Sequence, residues 1–436
     1  MSSDPSRLTG SLEGPERIIV RRSGPLEGEV TVPGAKNSVL KLMAATLLSN
    51  GRFELTNVPA IADVATMGDL VSALGVRSWM DPDRPGVLVM EHTGTIVPEA
   101  PYELVERIRA SIVVLGPLLA RCGHARVSLP GGDDFGKRPI DMHLKGLEAL
   151  GATFELRHGY IEARAEALHG ADITLDFPSV GATENIVMAA VLAKGTTVID
   201  NAAREPEIAD LCHFLNAMGA AIEGIGSPTL YIHGVPATDL QAVEHAVVTD
   251  RIQAATYMSA VAACQGEVSV RGARAEHMEM FLRRLREMGV QVTAQEDGVL
   301  VHADGNRLRS LDVQTLPYPG FATDYKPLMV TLLCVGDGVG IVTENLYPGR
   351  FRYVEELQRL GADIRTDGHH AVVRGIKWLE GAPVRAPDIR AGAALVVAGL
   401  LAYGETPIGE IHHIDRGYDD LVGRLAALGA DIERTR

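Results

Sequence analysis

Six short segments set lysine, arginine or aspartate against a glycine or the start of an apolar run, places where a chain can bind and activate a small anion. Leu129–Asp141 reads LPGGDDFGKRPID, and its Gly131, Gly136 and Lys137 fit most of the phosphate-cradling pattern G-x-x-x-x-G-K-S/T. Arg138 stands where that pattern needs a hydroxyl to ligate magnesium, and Pro139 follows at once, so the fit fails where triphosphate chemistry depends on it. What remains is a glycine-rich loop with two carboxylates and two bases, suited to an active-site lid, with a solvated surface turn as the plain alternative. PGAKNS, Pro33–Ser38, puts Lys36 and Asn37 immediately before a long apolar helix, where N–H groups, a cation and an amide suit a phosphate or carboxylate; taken alone, a capped surface helix explains it as well. RIRAS, with Arg109, and DIRAGA, with Arg390, each set an arginine before an apolar helix, and ordinary helix-end ion pairs are equally good local explanations. GFATDYKP places Asp324 between a Pro-Gly turn and an apolar helix, which by itself reads as an N-cap. HHIDRGYDD brings His412, His413, Asp415 and Arg416 together, but without a second His or Cys cluster at ligand spacing no metal is expected.

The rest of the chain limits what those groups can serve. Its 436 residues are too many for one ordinary core, so two domains are expected. A formal charge of -15 argues against nucleic acid or an anionic membrane surface as a partner, so an anionic substrate must meet a local basic cluster. The scarcity of aromatic residues leaves no stacking platform for bases. Cys122, Cys212, Cys264 and Cys334 lie in apolar stretches without C-x-x-C spacing, which reads as buried thiols in a reducing compartment. Met1–Glu16 has no apolar core and reads as a frayed tail rather than a signal peptide. The longest apolar runs, Pro327–Val335 and Ala391–Ala402, are too short to span a bilayer and read as buried helices. A cytoplasmic protein is therefore expected.

The elements that must position the charged groups come from repetition. A pattern of Leu, two variable residues, Leu or Met, and Gly ends at Gly75, Gly151, Gly219, Gly289, Gly361 and Gly429, at spacings between 68 and 76 residues. Each copy reads as an amphipathic helix closed by a glycine in the left-handed region and followed by an alternating strand. Upstream lies an apolar helix, a glycine and a strand running into a polar loop, as around Gly195, Gly266 and Gly404. One helix of each unit should be buried all round and the other should lie against a sheet. Units of this size predict closed packing of three about a shared core, repeated in two domains. The polar loops after the strands, which carry Asp133, Arg138, Arg204, Arg350 and Arg416, would then converge on an anion-binding cleft.

In order along the chain, PGAKNS, PYELVERIRASI, SLPGGDDFGKRPIDMH, SVGATEN, NAAREPEI, FATD, ENLYPGRF, DIRAGA and HIDRGY resemble the UDP-N-acetylglucosamine 1-carboxyvinyltransferases, and the likeness runs from about Glu16 to Arg434. The resemblance implies an α/β fold, a two-domain inside-out α/β barrel built from six βαβαββ units, three per domain. It implies residues 36–245 as the domain carrying the lid, residues 1–35 plus 246–436 as the other, and an active site in the cleft between them. Carried over by motif, Lys36, Arg138 and Arg416 would hold the phosphate and carboxylate of phosphoenolpyruvate, with Arg109 and Arg390 close by. Asn37 and Asp324 would face the sugar of UDP-N-acetylglucosamine, and Arg138, Pro139, Asp141, Ser179, Val180, Gly181 and Leu346 would line its nucleotide. The implied reaction is addition and elimination that moves the enolpyruvyl group to the sugar 3'-hydroxyl, the first committed step of peptidoglycan precursor synthesis, without a cofactor. Asp324 is expected as the base, Asp133 as the acid and Arg416 as a catalytic cation. Asp133 stands where many members have a reactive cysteine, which predicts resistance to fosfomycin because a carboxylate attacks the drug's epoxide far more slowly than a thiolate. A second departure, Phe177-Pro178 before Ser179, replaces a lysine found in some relatives. A paralogue acting on another uridine nucleotide such as UMP, and a binding paralogue without turnover, remain alternatives; the shikimate 3-phosphate branch fits HIDRGY and SVGATEN less well.

Overall fold

The computed structural model describes residues 16–129 and 140–435. The glycine-closed helices form as the spacing predicts. Ala62–Ala73, Asp141–Ala149, Pro206–Met218, Glu279–Met288, Tyr353–Arg359 and Leu421–Ala427 each run up to one of the six glycines, whose φ angles lie between 90° and 115°. At Gly289 a Cβ would meet nothing within 4 Å, so backbone conformation alone demands glycine there; at Gly75 it would also lie 2.2 Å from the Thr95 carbonyl oxygen. In Glu279–Met288 the buried positions are Phe281, Leu282, Leu285 and Met288, one stripe at helical spacing with arginines opposite.

The apolar helices are different. Arg251–Cys264 and Ile389–Leu401 are buried on every face, and Lys36–Ala45, Val180–Ala190 and Lys326–Cys334 nearly so. Strands such as Thr196–Asp200 and Glu405–Gly409 alternate buried and exposed positions, so each sheet covers these helices with one face and meets water with the other.

Among the described residues there are six four-stranded sheets and one two-stranded sheet. All six share one order: an edge strand parallel to its neighbour, then two antiparallel neighbours, as in Glu99–Ala100, His124–Ser128, Tyr160–Arg164 and Thr153–Arg157. The N-terminal strand Arg17–Arg21 inserts between Glu405–Gly409 and Ile432–Thr435, and Leu26–Thr31 pairs in parallel with Gly266–Arg271. The buried apolar side chains form two clusters, one between Val39 and Val247, the other made by Ile18–Val32 together with Ile252–Ile432. The chain passes between them twice, and the passes are bonded side by side: Ala35 N–H donates to Val248 O at 2.7 Å and Asp250 N–H to Pro33 O at 2.9 Å. Gly34 sits in this crossing, where a Cβ would fall 2.0 Å from the Asn57 carbonyl oxygen, so the glycine of PGAKNS serves close backbone approach.

No helix among the described residues is long and apolar enough to cross a membrane. Cys212, Cys264 and Cys334 are buried, and burial pushes each thiol up to about 12. Cys122 departs from the expectation of a buried thiol: it ends the helix Leu115–Cys122 and is only half-buried.

Candidate active site

Lys36 is the first residue of the helix Lys36–Ala45, so its ammonium stands at the positive end of the helix dipole, and its backbone N–H donates to Asp250 Oδ2 at 3.4 Å. Its Nζ lies 2.8 Å from Oδ2 of Asp63, in the first turn of Ala62–Ala73. Arg416, just past the short helix His412–Asp415, reaches the same carboxylate with Nε at 2.9 Å and Nη2 at 3.3 Å. One aspartate, 3% exposed, therefore holds a cation from each apolar core. Burial lowers the pKa of Lys36, and Arg390 and Arg416 lower it further, against the pull of Asp63. Lys36, Arg390 and Arg416 thus lie close enough to feel one another's charge, a field that favours an incoming anion. The space is tight: a Cβ on Gly417 would meet Cγ2 of Ile389 at 2.6 Å and Cδ of Lys36 at 3.6 Å.

Asp324 is not the helix cap that its local sequence suggests. It lies in a single 3-10 turn, Thr323–Tyr325, and the following helix Lys326–Cys334 has no side-chain cap. Its carboxylate turns instead to two arginines, with Oδ1 2.7 Å from Arg350 Nη1 and Oδ2 3.4 Å from Arg390 Nε. Burial pushes the Asp324 carboxyl up, but Arg350 and Arg390 outweigh it and hold the group well below the usual carboxylate range. Arg390, the second residue of Ile389–Leu401, is 5% exposed, and its Nη1 has no hydrogen-bond partner among the described residues. The N-cap of that helix is Asp388, which accepts from the N–H groups of Arg390 and Ala391. Leu346 is set by the buried Glu344, whose Oε1 accepts from Leu346 N–H at 2.8 Å while Oε2 accepts from Thr323, next to Asp324, at 2.7 Å.

A second group of expected residues gathers on the other core. Ser179 caps Val180–Ala190, its hydroxyl accepting from Ala182 N–H at 3.3 Å, and Val180 and Gly181 form the first turn. Gly181 lies against His143, where a Cβ would stand 3.0 Å from the ring's Cε1. Burial, helped by Arg109, lowers the His143 pKa to about 4, against the pull of Asp141, so the ring is neutral and its Nδ1 accepts from Asn185 Nδ2 at 2.9 Å. Arg109, Asp141 and the Ser179–Gly181 turn thus surround one histidine. Asp141 itself opens the helix Asp141–Ala149 and is exposed beside Lys145. Asn37 is half-buried at the start of its helix, and its carbonyl accepts from Lys41 Nζ at 2.7 Å. Asp133, Arg138 and Pro139 lie outside the described residues.

Reading by motif missed Asp63 as the shared partner of Lys36 and Arg416, and left Arg350 as one loop residue among several. It also passed over the buried pair Arg251–Glu207, at 3.0 Å, which joins the two cores. The repeat held a usable signal for the first two: Asp63 follows the strand Gly51–Thr56 as Arg350 follows Val339–Thr343 and Arg416 follows Glu405–Gly409. Glu207 stands at the same offset from Thr196–Asp200, so comparison by position picks out Asp63 and Glu207 together despite their plain sequence context.

Residues 20–425 match the family model described as EPSP synthase (3-phosphoshikimate 1-carboxyvinyltransferase). The chain is 52% identical over 421 residues to a UDP-N-acetylglucosamine 1-carboxyvinyltransferase of Mycolicibacterium paratuberculosis, covering 96% of this chain and 99% of that one. It is 51% identical over 419 residues to the corresponding protein of Mycobacterium bovis, with the same coverage. Among solved structures it is similar to the enolpyruvyl transferase NikO from Streptomyces tendae, at a TM-score of 0.87 and 27% identity over 97% of this chain and 99% of that one. With identity of this level over nearly its whole length, and with the family's basic and acidic motif residues folded into shared clusters, the chain belongs to the UDP-N-acetylglucosamine 1-carboxyvinyltransferases.

Proposed function

We propose that this protein transfers the enolpyruvyl group of phosphoenolpyruvate to the 3'-hydroxyl of UDP-N-acetylglucosamine and releases phosphate, the first committed step of peptidoglycan precursor synthesis, in the cytoplasm. The observation that carries the reading is the cluster in which Lys36, Arg390, Arg416 and Asp324 meet from two cores, with Arg390 Nη1 buried and without a hydrogen-bond partner among the described residues. Guanidiniums that stay charged and bind oxygens in pairs suit a small trianion. In this reading two domains, residues 36–245 and residues 1–35 plus 246–436, each close three repeats into an inside-out barrel, and the substrates lie between them.

Lys36, Arg416 and, from the lid, Arg138 hold the phosphate and carboxylate, with Arg109 and Arg390 adding positive field. Asp324 takes the proton of the 3'-hydroxyl as its oxygen bonds to C2 of phosphoenolpyruvate, while C3 gains a proton from Asp133. The tetrahedral adduct then loses a C3 proton and phosphate, restoring the double bond and returning both carboxyl groups to their starting states. Asp324 begins in the ionised form that a base needs, but Arg350 and Arg390 make it a weak one. Substrate oxygens that engage Arg390 would weaken that hold and raise its basicity at the moment of use. Asn37 faces the sugar, while Pro139, Asp141, Ser179, Val180, Gly181 and Leu346 line the nucleotide.

The deciding experiment offers phosphoenolpyruvate with UDP-N-acetylglucosamine, UMP or shikimate 3-phosphate singly and follows phosphate release. Release only with the UDP-sugar is expected; release only with UMP or shikimate 3-phosphate would move the protein to another branch, and release with none would remove the enzymatic reading.

A further inference from the structure

One buried ionic pair has no part in the scheme above and connects its two halves. Lys41 lies on the helix that begins with Lys36 and Asn37, and Glu184 on the helix that begins after Ser179. Lys41 Nζ donates to the Asn37 carbonyl at 2.7 Å and stands 3.5 Å from Glu184 Oε1. Glu184 is 1% exposed, and neither carboxyl oxygen accepts a hydrogen bond among the described residues, so its charge leans on Lys41 alone at ion-pair distance. A buried carboxylate without hydrogen bonds is costly, and the cost sets how easily it takes a proton.

We propose that Lys41 and Glu184 form a positioning pair that couples the helix start bearing Lys36 and Asn37 to the helix start bearing Ser179, Val180 and Gly181, and that protonation of Glu184 loosens this coupling. The inference rests on the proposed function for what those two helix starts bind. With Glu184 ionised, the ammonium is held between the carboxylate and the Asn37 carbonyl. With Glu184 neutral, Lys41 keeps a buried charge without its counter-ion and loses the reason to stay there.

The surroundings favour a proton on Glu184 near neutrality. Burial raises its pKa to about 7, Lys41 pulls it down, and Glu207 and Glu205 push it up. Glu205 is itself raised by burial, and Glu207 is paired with Arg251. Other charged groups near these helices have partners of their own: Asp210 accepts from Ser38 at 2.5 Å and lies 2.8 Å from His245, and His143 faces Asn185. Glu184, Glu205 and Glu207 thus act on one another, with Lys41 and Arg251 opposing them, so their protonation is coupled.

The folded state binds a proton that the unfolded chain has released above about 4.5, so stability falls as pH rises from there through about 7. Glu184→Gln removes that ionisation and keeps the shape, so its thermal midpoint should not share the wild-type decline over this window. In turnover, wild-type kcat/KM for UDP-N-acetylglucosamine should rise through an inflection near pH 7, while Glu184→Gln holds a low value without it, roughly tenfold below the wild-type plateau, a size usual for coupled neighbours. Lys41→Met should give a similar low plateau, and the double variant should be no worse than either single one. A Glu184→Gln enzyme that keeps both the wild-type inflection and the wild-type midpoint profile overturns the proposal. So does a uniform loss of rate with the inflection intact, which marks a structural role only. If wild type turns over none of the three acceptors, the proposed function fails, and the midpoint comparison still decides whether Glu184 takes up the proton.

Discussion

Asp63 carries more of the site than its sequence context suggests, because one small carboxylate answers two cations that come from different cores. Asp63→Ala removes the buried carboxylate that Arg416 shares with the buried Lys36, and a loss of about 3 kcal/mol in denaturant unfolding is expected. Asp324→Asn should lower turnover by at least about a hundredfold through loss of the base, with tryptophan fluorescence reporting a folded protein. Near-normal rates would remove Asp324 from the chemistry. Asp133→Cys should turn slow, weak inhibition by fosfomycin into rapid time-dependent inactivation, detected as a covalent adduct by mass spectrometry; rapid inactivation of the wild type would refute the expected resistance.

At the scale of elements, the six glycines separate two effects that sequence cannot distinguish. Gly289 has positive φ and open space, so Gly289→Ala should cost about 1–2 kcal/mol from backbone strain alone. Gly219 has the same kind of φ but an added Cβ would lie 2.6 Å from the Asp239 carbonyl oxygen, so Gly219→Ala should cost more in the same unfolding measurement. The helix endings were legible because a run of Leu and Met at helical spacing followed by glycine has few other conformational solutions. Asp324 was misread locally as a cap for the converse reason. An aspartate before an apolar helix satisfies capping rules, and only the packing of Arg350 and Arg390 against that turn draws its carboxylate away from the helix.

Across the whole molecule the two cores meet at ion pairs rather than through one continuous apolar cluster. Arg416–Asp63 and Arg251–Glu207 span them, next to the paired crossings at Gly34 and Thr249. Glu207→Gln leaves Arg251 buried with weakened support, so the cores should uncouple and calorimetry should resolve two unfolding transitions where the wild type has one.

By itself the amino-acid order determined the repeat, the helix ends, the buried helices and the list of motif residues, because periodicity and glycine placement act over a few residues at a time. Which cations share which carboxylate was decided only in three dimensions. Lys36 and Asp63 are near in sequence, but Arg416 arrives from the far end of the chain, carried by a second core whose N-terminal strand Arg17–Arg21 closes its last sheet. Ion pairing depends on distance through space and on burial, and neither quantity is written in local spacing.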